Sequence, residues 1–309
     1  MIFGERFLEH PDLFPARRSG EAWGEDELLI SCGGDRYRFA GLSSGQCSII
    51  CRHLEPHVRK DPDDGEIPIE IKVFRASRRD FRDTDRTGIP LTVDLDQVPS
   101  SVRIAGLDFV GRIDWSPTLG GALWTSLGNE RMFLGVFENY LRVLAAYRLL
   151  EAGGALLHSA GVVDKNRAFL FIGPSGAGKS TIARLAHESG RVVLSDDLNA
   201  LRRRGDELVV RKVPFSGELE FGSPEDSCYP LAALCHLRQG GGISVLETTE
   251  AISLASLIGS SPFVNGDPHR LGTLETNLRM AVDRCFTGSL TFPRKARFAD
   301  ILQAIEERR

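Results

Sequence analysis

The segment GPSGAGKST at residues 173–181 constrains this chain more than any other feature of its sequence. It satisfies the pattern G-x-x-x-x-G-K-[ST], follows the apolar run AFLFI and precedes a stretch with helical character. Strand, glycine-rich loop and helix in that order place backbone N–H groups around a phosphate, at the positive end of the helix dipole. The pattern therefore predicts an α/β domain that binds a nucleoside triphosphate.

The residues of this loop are the predicted nucleotide contacts. Lys179 is expected to reach the β and γ phosphates, and the Ser180 hydroxyl is expected to be a ligand of Mg²⁺. ATP and Mg²⁺ are accordingly the predicted cofactors. The full predicted nucleotide-binding set is Gly173, Ser175, Gly176, Ala177, Gly178, Lys179, Ser180 and Thr181.

Two adjacent aspartates and one histidine lie in apolar strands beside the loop. Asp196 and Asp197 follow the strand RVVLS, and beside Mg²⁺ one carboxylate would hold the metal while the other accepts a proton. The alternative is a strand end capped by two solvated aspartates. His158 stands inside ALLHSAGVV, directly before the loop strand, and is either a hydrogen-bonded core residue or a side chain directed at the phosphates.

The rest of the chain separates into two parts. Residues 1–128 consist of short strand-like runs broken by Gly, Pro and Asp, which predicts a β-rich N-terminal segment. Residues 129–309 open with an apolar helix over 132–151, and strands and helices then alternate, which predicts the α/β domain. The six cysteines show no metal-ligand spacing and are expected to be reduced thiols.

Charge and hydropathy restrict the partners. The net charge of −4 and the lack of a long basic block argue against a nucleic-acid partner. No run of about 18 apolar residues or secretory leader is present, so we expect no membrane span and a cytoplasmic protein.

The unit over residues 156–204 resembles the catalytic domain of HPr kinase/phosphorylase, through His158, the loop from Gly173, and the pair Asp196 and Asp197. ATP-dependent phosphoenolpyruvate carboxykinase is similar at a greater distance. The helix and strand before the loop also look like those of HPr-kinase-related proteins outside the sugar-transport system, including kinases that phosphorylate a serine of a peptide precursor. The resemblance implies an HPr-kinase-like P-loop domain with a central mixed sheet.

The same resemblance implies roles for individual residues. Asp196 would be the catalytic base toward a serine or threonine hydroxyl of a protein or peptide, and Asp197 would bind the metal. His158 would lie near the transferring phosphate, with Lys179 as the third catalytic residue. Glu218 or Glu220 would either approach the metal or be exposed loop residues. HPr kinases are oligomeric, so the resemblance is compatible with a homo-oligomer.

The sequence departs from that family at two places. Pro174 follows the first loop glycine, where an acidic residue is usual, and the basic, proline-containing C-terminal loop of the bifunctional enzymes is missing. The resemblance therefore does not establish phosphorolysis, and it leaves the acceptor open, HPr included. Two other classes stay open: a small-molecule phosphotransferase or carboxykinase-like enzyme using His269, Arg270 or Arg294, and a nucleotide-gated binding protein with little turnover.

Overall fold

The computed structural model describes residues 21–59, 67–77, 93–115, 118–128, 131–215, 217, 219 and 228–309. The chain forms two compact units, Met1–Leu144 and Ala145–Arg309. Their boundary falls inside one long helix, α2 (Met132–Glu151), whose bounds agree with the predicted helix. The boundary predicted from sequence, between residues 128 and 129, lies just before this helix.

The N-terminal unit contains an eight-stranded mixed sheet with the order β3-β1-β2-β4-β8-β7-β6-β5. Two of its pairings, β2 with β4 and β4 with β8, are parallel, and the others are antiparallel. The strands are β1 (Asp26–Cys32), β2 (Asp35–Leu42), β3 (Val58–Arg59), β4 (Ile69–Arg75), β5 (Asp94–Val98), β6 (Ser101–Gly106), β7 (Phe109–Asp114) and β8 (Gly120–Thr125). The predicted β-rich character of this part is therefore present.

Alternation along β2 explains how this unit buries its aromatic side chains. In DRYRFAGL, Tyr37 and Phe39 are buried while Arg36 and Arg38, on either side of Tyr37, are more exposed, as the two-residue period of a strand requires. Phe39 lies 4.6 Å from the ring of Phe137, centroid to centroid. The helix α1 (Ser44–Leu54) begins with a capping box formed by Ser43 and Gln46, and a short 3-10 helix (Glu55–His57) follows it.

The C-terminal unit is built on a second mixed sheet of eight strands, with the order β10-β9-β12-β13-β14-β16-β15 and β11 paired to β9. A further parallel pairing joins β10 to β14, so β10, β9, β12, β13 and β14 are hydrogen bonded in a closed ring. The strands are β9 (Ala155–Asp164), β10 (Arg167–Ile172), β11 (Val192–Ser195), β12 (Leu198–Arg204), β13 (Glu207–Arg211), β14 (Cys228–Gln239), β15 (Ser244–Glu247) and β16 (Phe286–Phe292).

Helices cover this sheet and complete its core. They are α3 (Lys179–Glu188), α4 (Glu250–Gly259), α5 (Leu271–Arg284) and α6 (Phe298–Glu306). α3 buries Ile182, Ala183 and Ala186, at helical spacing, in a cluster that also contains Phe171 of β10 and Phe298 of α6. This packing fixes the helix directly after the glycine-rich loop, and so fixes the loop itself.

The sequence located most of these elements but not β14. Its apolar run PLAALCHL was not assigned, although β14 is the strand that closes the ring and pairs in parallel with both β10 and β16. The short strand β15 was also missed. Among the described residues, no helix is both long and apolar enough to cross a membrane.

Candidate active site

The glycine-rich loop joins the end of β10 to the first residue of α3, as its sequence pattern requires. Gly176 and Gly178 have φ values of 77° and 110°, a left-handed conformation that side chains other than glycine rarely adopt. Ala177 N–H donates to the Pro174 carbonyl at 3.1 Å, which closes the turn. The backbone therefore curls as an anion-binding loop at a helix N-terminus does.

Lys179 is the first residue of α3 and is only 7% exposed. Its ammonium donates hydrogen bonds to the carbonyl oxygens of Gly173 at 2.8 Å and Pro174 at 3.2 Å. Burial lowers the pKa of Lys179 below its ordinary 10.5, while the carboxylates of Asp197 and Asp196 oppose that shift. The ammonium is thus held against its own loop, and the charges of the two aspartates act on it.

Asp196 and Asp197 lie at a bend between two strands that both pair with β9. Ser195, the last residue of β11, is opposite Gly161, and Leu198, the first residue of β12, is opposite His158. The Asp197 carbonyl also accepts a hydrogen bond from Ser159 N–H at 2.9 Å. Together, β11 and β12 therefore run antiparallel to β9 and are interrupted only at the two aspartates. Strand pairing holds the backbone on both sides of this bend.

The two carboxylates have different surroundings. Asp196 is 3% exposed, and neither of its carboxylate oxygens has a hydrogen-bond partner among the described residues. A β-carbon added at Gly217 would lie 2.5 Å from Asp196 Oδ1, so the glycine backbone closely covers this carboxylate. A buried, unpaired carboxylate is costly, and it is retained mainly where a ligand or a proton completes it.

Asp197 is more open and contacts the predicted histidine. His158 Nε2 lies 3.3 Å from Asp197 Oδ1, and both side chains are partly exposed. The backbone of His158 is held by a 2.7 Å hydrogen bond from its N–H to the Ser260 carbonyl, just after α4. The described geometry thus pairs His158 with Asp197 rather than with Asp196.

The residues present suit a magnesium ion bound together with a phosphate. Ser180 and Asp197 carry oxygen atoms of the kind that Mg²⁺ prefers, and Asp196, next to Asp197 in the chain, carries two oxygens without a hydrogen-bond partner among the described residues. Among the described residues, no group of three His, Cys, Asp or Glu side chains is placed to hold a metal ion by itself. Mg²⁺ generally takes one or two carboxylates and completes its shell with substrate phosphates and water, so such a group is not needed here.

The other predicted residues fall in three places. Arg294 lines a cavity beside the loop, together with Gly176, Gly178 and Thr181. Arg270 forms an ion pair at 2.9 Å with the fully buried Asp267, whose other oxygen accepts from His269 N–H at 2.8 Å, so this pair belongs to the packing of the segment before α5. Glu218 and Glu220 lie outside the described residues.

Sequence reasoning did not find the other side chains of this cavity, Arg238, Gln239 and Phe292. The first two stand at the end of β14, the strand that was not assigned, and Phe292 ends β16. An apolar run of strand length followed by Gly240, Gly241 and Gly242 was the available signal. These side chains lie near the loop because of the order of strands in the sheet, and a single sequence does not reveal which strands are neighbours.

No protein-family model matches this chain, and neither does any curated protein. Among solved structures, the Hpr(Ser) kinase/phosphatase from Coxiella burnetii is similar, with 12% sequence identity and a TM-score of 0.28. The alignment covers 50% of this chain and 95% of that one. Similarity at this level carries no argument about fold or activity.

Proposed function

We propose that the protein is an ATP- and Mg²⁺-dependent kinase that transfers the γ-phosphoryl group to a serine or threonine hydroxyl of a protein or peptide. The observation that carries this proposal is the buried carboxylate of Asp196, which has no hydrogen-bond partner among the described residues and whose charge acts on the lysine that ends a phosphate-binding loop. A hydroxyl group entering the site would give that carboxylate the hydrogen-bond donor it lacks. The choice of a serine acceptor comes from the resemblance of the sequence to the HPr-kinase pattern.

ATP binds with its phosphates along the loop. The backbone N–H groups of the loop and the Lys179 ammonium neutralise charge on the phosphates and on the departing ADP. Mg²⁺, held by Ser180 and Asp197, would add a cation at the β and γ phosphates. The hydrogen bonds from Lys179 to Gly173 and Pro174 keep the ammonium directed at the loop before ATP arrives.

The transfer step uses Asp196 as the general base. The acceptor hydroxyl gives its proton to the Asp196 carboxylate, and its oxygen forms a bond to the γ phosphorus. The bond from that phosphorus to the bridging oxygen of ADP breaks at the same time, and ADP leaves with the bonding electrons. His158 holds Asp197 through their 3.3 Å contact and so positions the metal ligand rather than the base.

Labelling with γ-³²P ATP tests this function. Purified protein is incubated with Mg²⁺ and extract from its own source, and labelled proteins, peptides and small molecules are then separated. The comparison includes Lys179→Ala, Asp196→Asn and, as a matched control, Asp283→Asn, which changes an exposed aspartate on α5. We expect label on a serine or threonine with wild type and Asp283→Asn, and none with the other two.

The alternative outcomes each reject a defined part of the proposal. Label confined to a small metabolite would make the protein a small-molecule phosphotransferase. ATP binding without any transfer would make it a nucleotide-gated binding protein. Equal labelling by Asp196→Asn would remove Asp196 as the base, and equal labelling by Lys179→Ala would remove the loop as the site.

A further inference from the structure

A cavity of about 350 Å³ lies beside the phosphate-binding loop and has no part in the transfer step described above. One wall is the loop itself, with Gly176, Gly178 and Thr181. The other walls come from the ends of two strands. Arg238 and Gln239 end β14, while Phe292 ends β16 and Arg294 follows it.

The sheet explains why these residues meet. Strand β14 pairs in parallel with β10 on one side and β16 on the other, with Ile172 opposite His236 and Gln239 opposite Phe292. Their carboxyl ends therefore lie at one edge of the sheet, the edge at which the glycine-rich loop follows β10. Gln239 Nε2 also donates to the Gly176 carbonyl at 3.3 Å and ties the cavity to the loop.

The groups assigned to phosphoryl transfer fix which end of the nucleotide faces this cavity. Lys179, Asp196, Asp197 and His158 do not line it. A phosphate-binding loop cradles the α and β phosphates with its N–H groups and directs its lysine to the β and γ phosphates. With the γ phosphate at the aspartates, the cavity that borders Thr181 on α3 receives the opposite end of the nucleotide.

The chemistry of the lining suits a flat, polar ring system. Phe292 offers an aromatic ring, and the two guanidinium groups can stack on a base or donate hydrogen bonds to its edge. Both arginines are exposed, and among the described residues neither forms an ion pair with a carboxylate. The volume lies at the lower end of the roughly 300–1,000 Å³ typical of small-ligand pockets.

We propose that this cavity is the nucleoside subsite, holding the base and ribose of the bound triphosphate between Phe292 and the guanidinium groups of Arg238 and Arg294. This inference rests on the proposed function for the direction of the nucleotide. Arg238 and Arg294, both outside the loop, would then contribute to the affinity for ATP but not to the affinity for inorganic triphosphate, which has no base or ribose.

Isothermal titration with two ligands tests the assignment. The Kd of ATP and the Kd of inorganic tripolyphosphate, both with Mg²⁺, are measured for Arg238→Gln, Arg294→Gln and the double variant. The control is Lys295→Gln, which removes one positive charge from an exposed neighbour that does not line the cavity. Because all single variants lose one charge, the control corrects for general attraction of anions.

Relative to the control, each arginine variant is expected to bind ATP about two- to fivefold more weakly, and the double variant about five- to thirtyfold more weakly. For the single variants, the affinity for tripolyphosphate should match that of the control. Equal losses for both ligands would overturn the assignment and make the arginines phosphate contacts. Unchanged binding of ATP would overturn it as well.

The same titration separates this inference from the proposed function. If ATP binding weakens as expected but the labelling experiment shows no transfer, the nucleoside subsite stands and the kinase proposal fails. If transfer occurs and the arginine variants bind ATP normally, only the subsite fails. Wild-type protein that binds neither ATP nor tripolyphosphate would reject both.

Discussion

Replacing Asp196 by asparagine should make the protein both less active and more stable. Asparagine has nearly the same shape as aspartate but carries no charge and accepts a proton poorly. Asp196 is 3% exposed and both of its oxygens lack hydrogen-bond partners among the described residues, so folding removes this charge from water with little local compensation. Lys179 supplies the nearby positive charge, and it also has Asp197 as a neighbour.

The expected magnitudes follow from that environment. An unsatisfied buried polar group costs about 1–3 kcal/mol, and more when it is charged. The asparagine amide also stays unpaired, so only the part due to charge is recovered, and we expect about 1–3 kcal/mol of added stability. For a unit the size of Ala145–Arg309 this raises Tm by roughly 2–12 °C. Loss of a general base should lower kcat by about two to four decades.

Differential scanning calorimetry and a steady-state kinase assay on the same preparations check both values. Asp283→Asn is the control, because it changes an exposed aspartate and should leave Tm and kcat near wild type. If Asp196→Asn instead unfolds at a lower temperature and keeps its rate, Asp196 is a structural residue. A lower Tm together with a loss of activity would mean that the Asp196 carboxylate has hydrogen-bond partners in the folded protein. That result would refute the assignment of Asp196 as a buried base without partners.

Two further predictions concern the surroundings of this carboxylate. Gly217→Ala places a β-carbon 2.5 Å from Asp196 Oδ1, which is closer than van der Waals contact allows. Displacement of the base should then lower kcat about 10- to 100-fold. The control is Gly241→Ala, where the added carbon meets open space, and equal rates for the two variants would contradict the geometry. Burial lowers the pKa of Lys179, so its positive charge is lost as the pH rises through a value below 10.5. When the Kd of ATP is measured from neutral to alkaline pH, wild-type protein should therefore bind ATP more weakly above that value. Lys179→Met should not show this change. An alkaline profile shared by both proteins would remove Lys179 as the cause.

The loop was predictable from sequence because its function depends on local geometry. The pattern over residues 173–181 requires particular backbone angles at glycine, and the structure has them at Gly176 and Gly178. The strand before it and the helix after it were expected from the apolar run AFLFI and from the loop pattern, and both are present as β10 and α3. Local chemistry therefore determined this part of the site.

The cavity was not predictable in the same way because it depends on which strands are neighbours. Arg238 and Arg294 are far apart in the chain and meet only because β14 and β16 pair in parallel. A single sequence does not show directly which strands are neighbours in a sheet. Arg294 was considered from its charge alone, whereas Arg270, considered on the same ground, lies with Asp267 in the packing before α5.

The bend at Asp196 and Asp197 connects the fold to the proposed chemistry. Two neighbouring carboxylates can share a phosphoryl transfer only if their surroundings differ, because one must take a proton and the other a metal. Here β11 and β12 both pair with β9 and hold the bend from its two ends, with Ser195 opposite Gly161 and Leu198 opposite His158. At this bend, Asp196 is buried, whereas Asp197 is partly exposed and contacts His158. The break between β11 and β12 therefore gives the two carboxylates the different surroundings that the proposed mechanism requires.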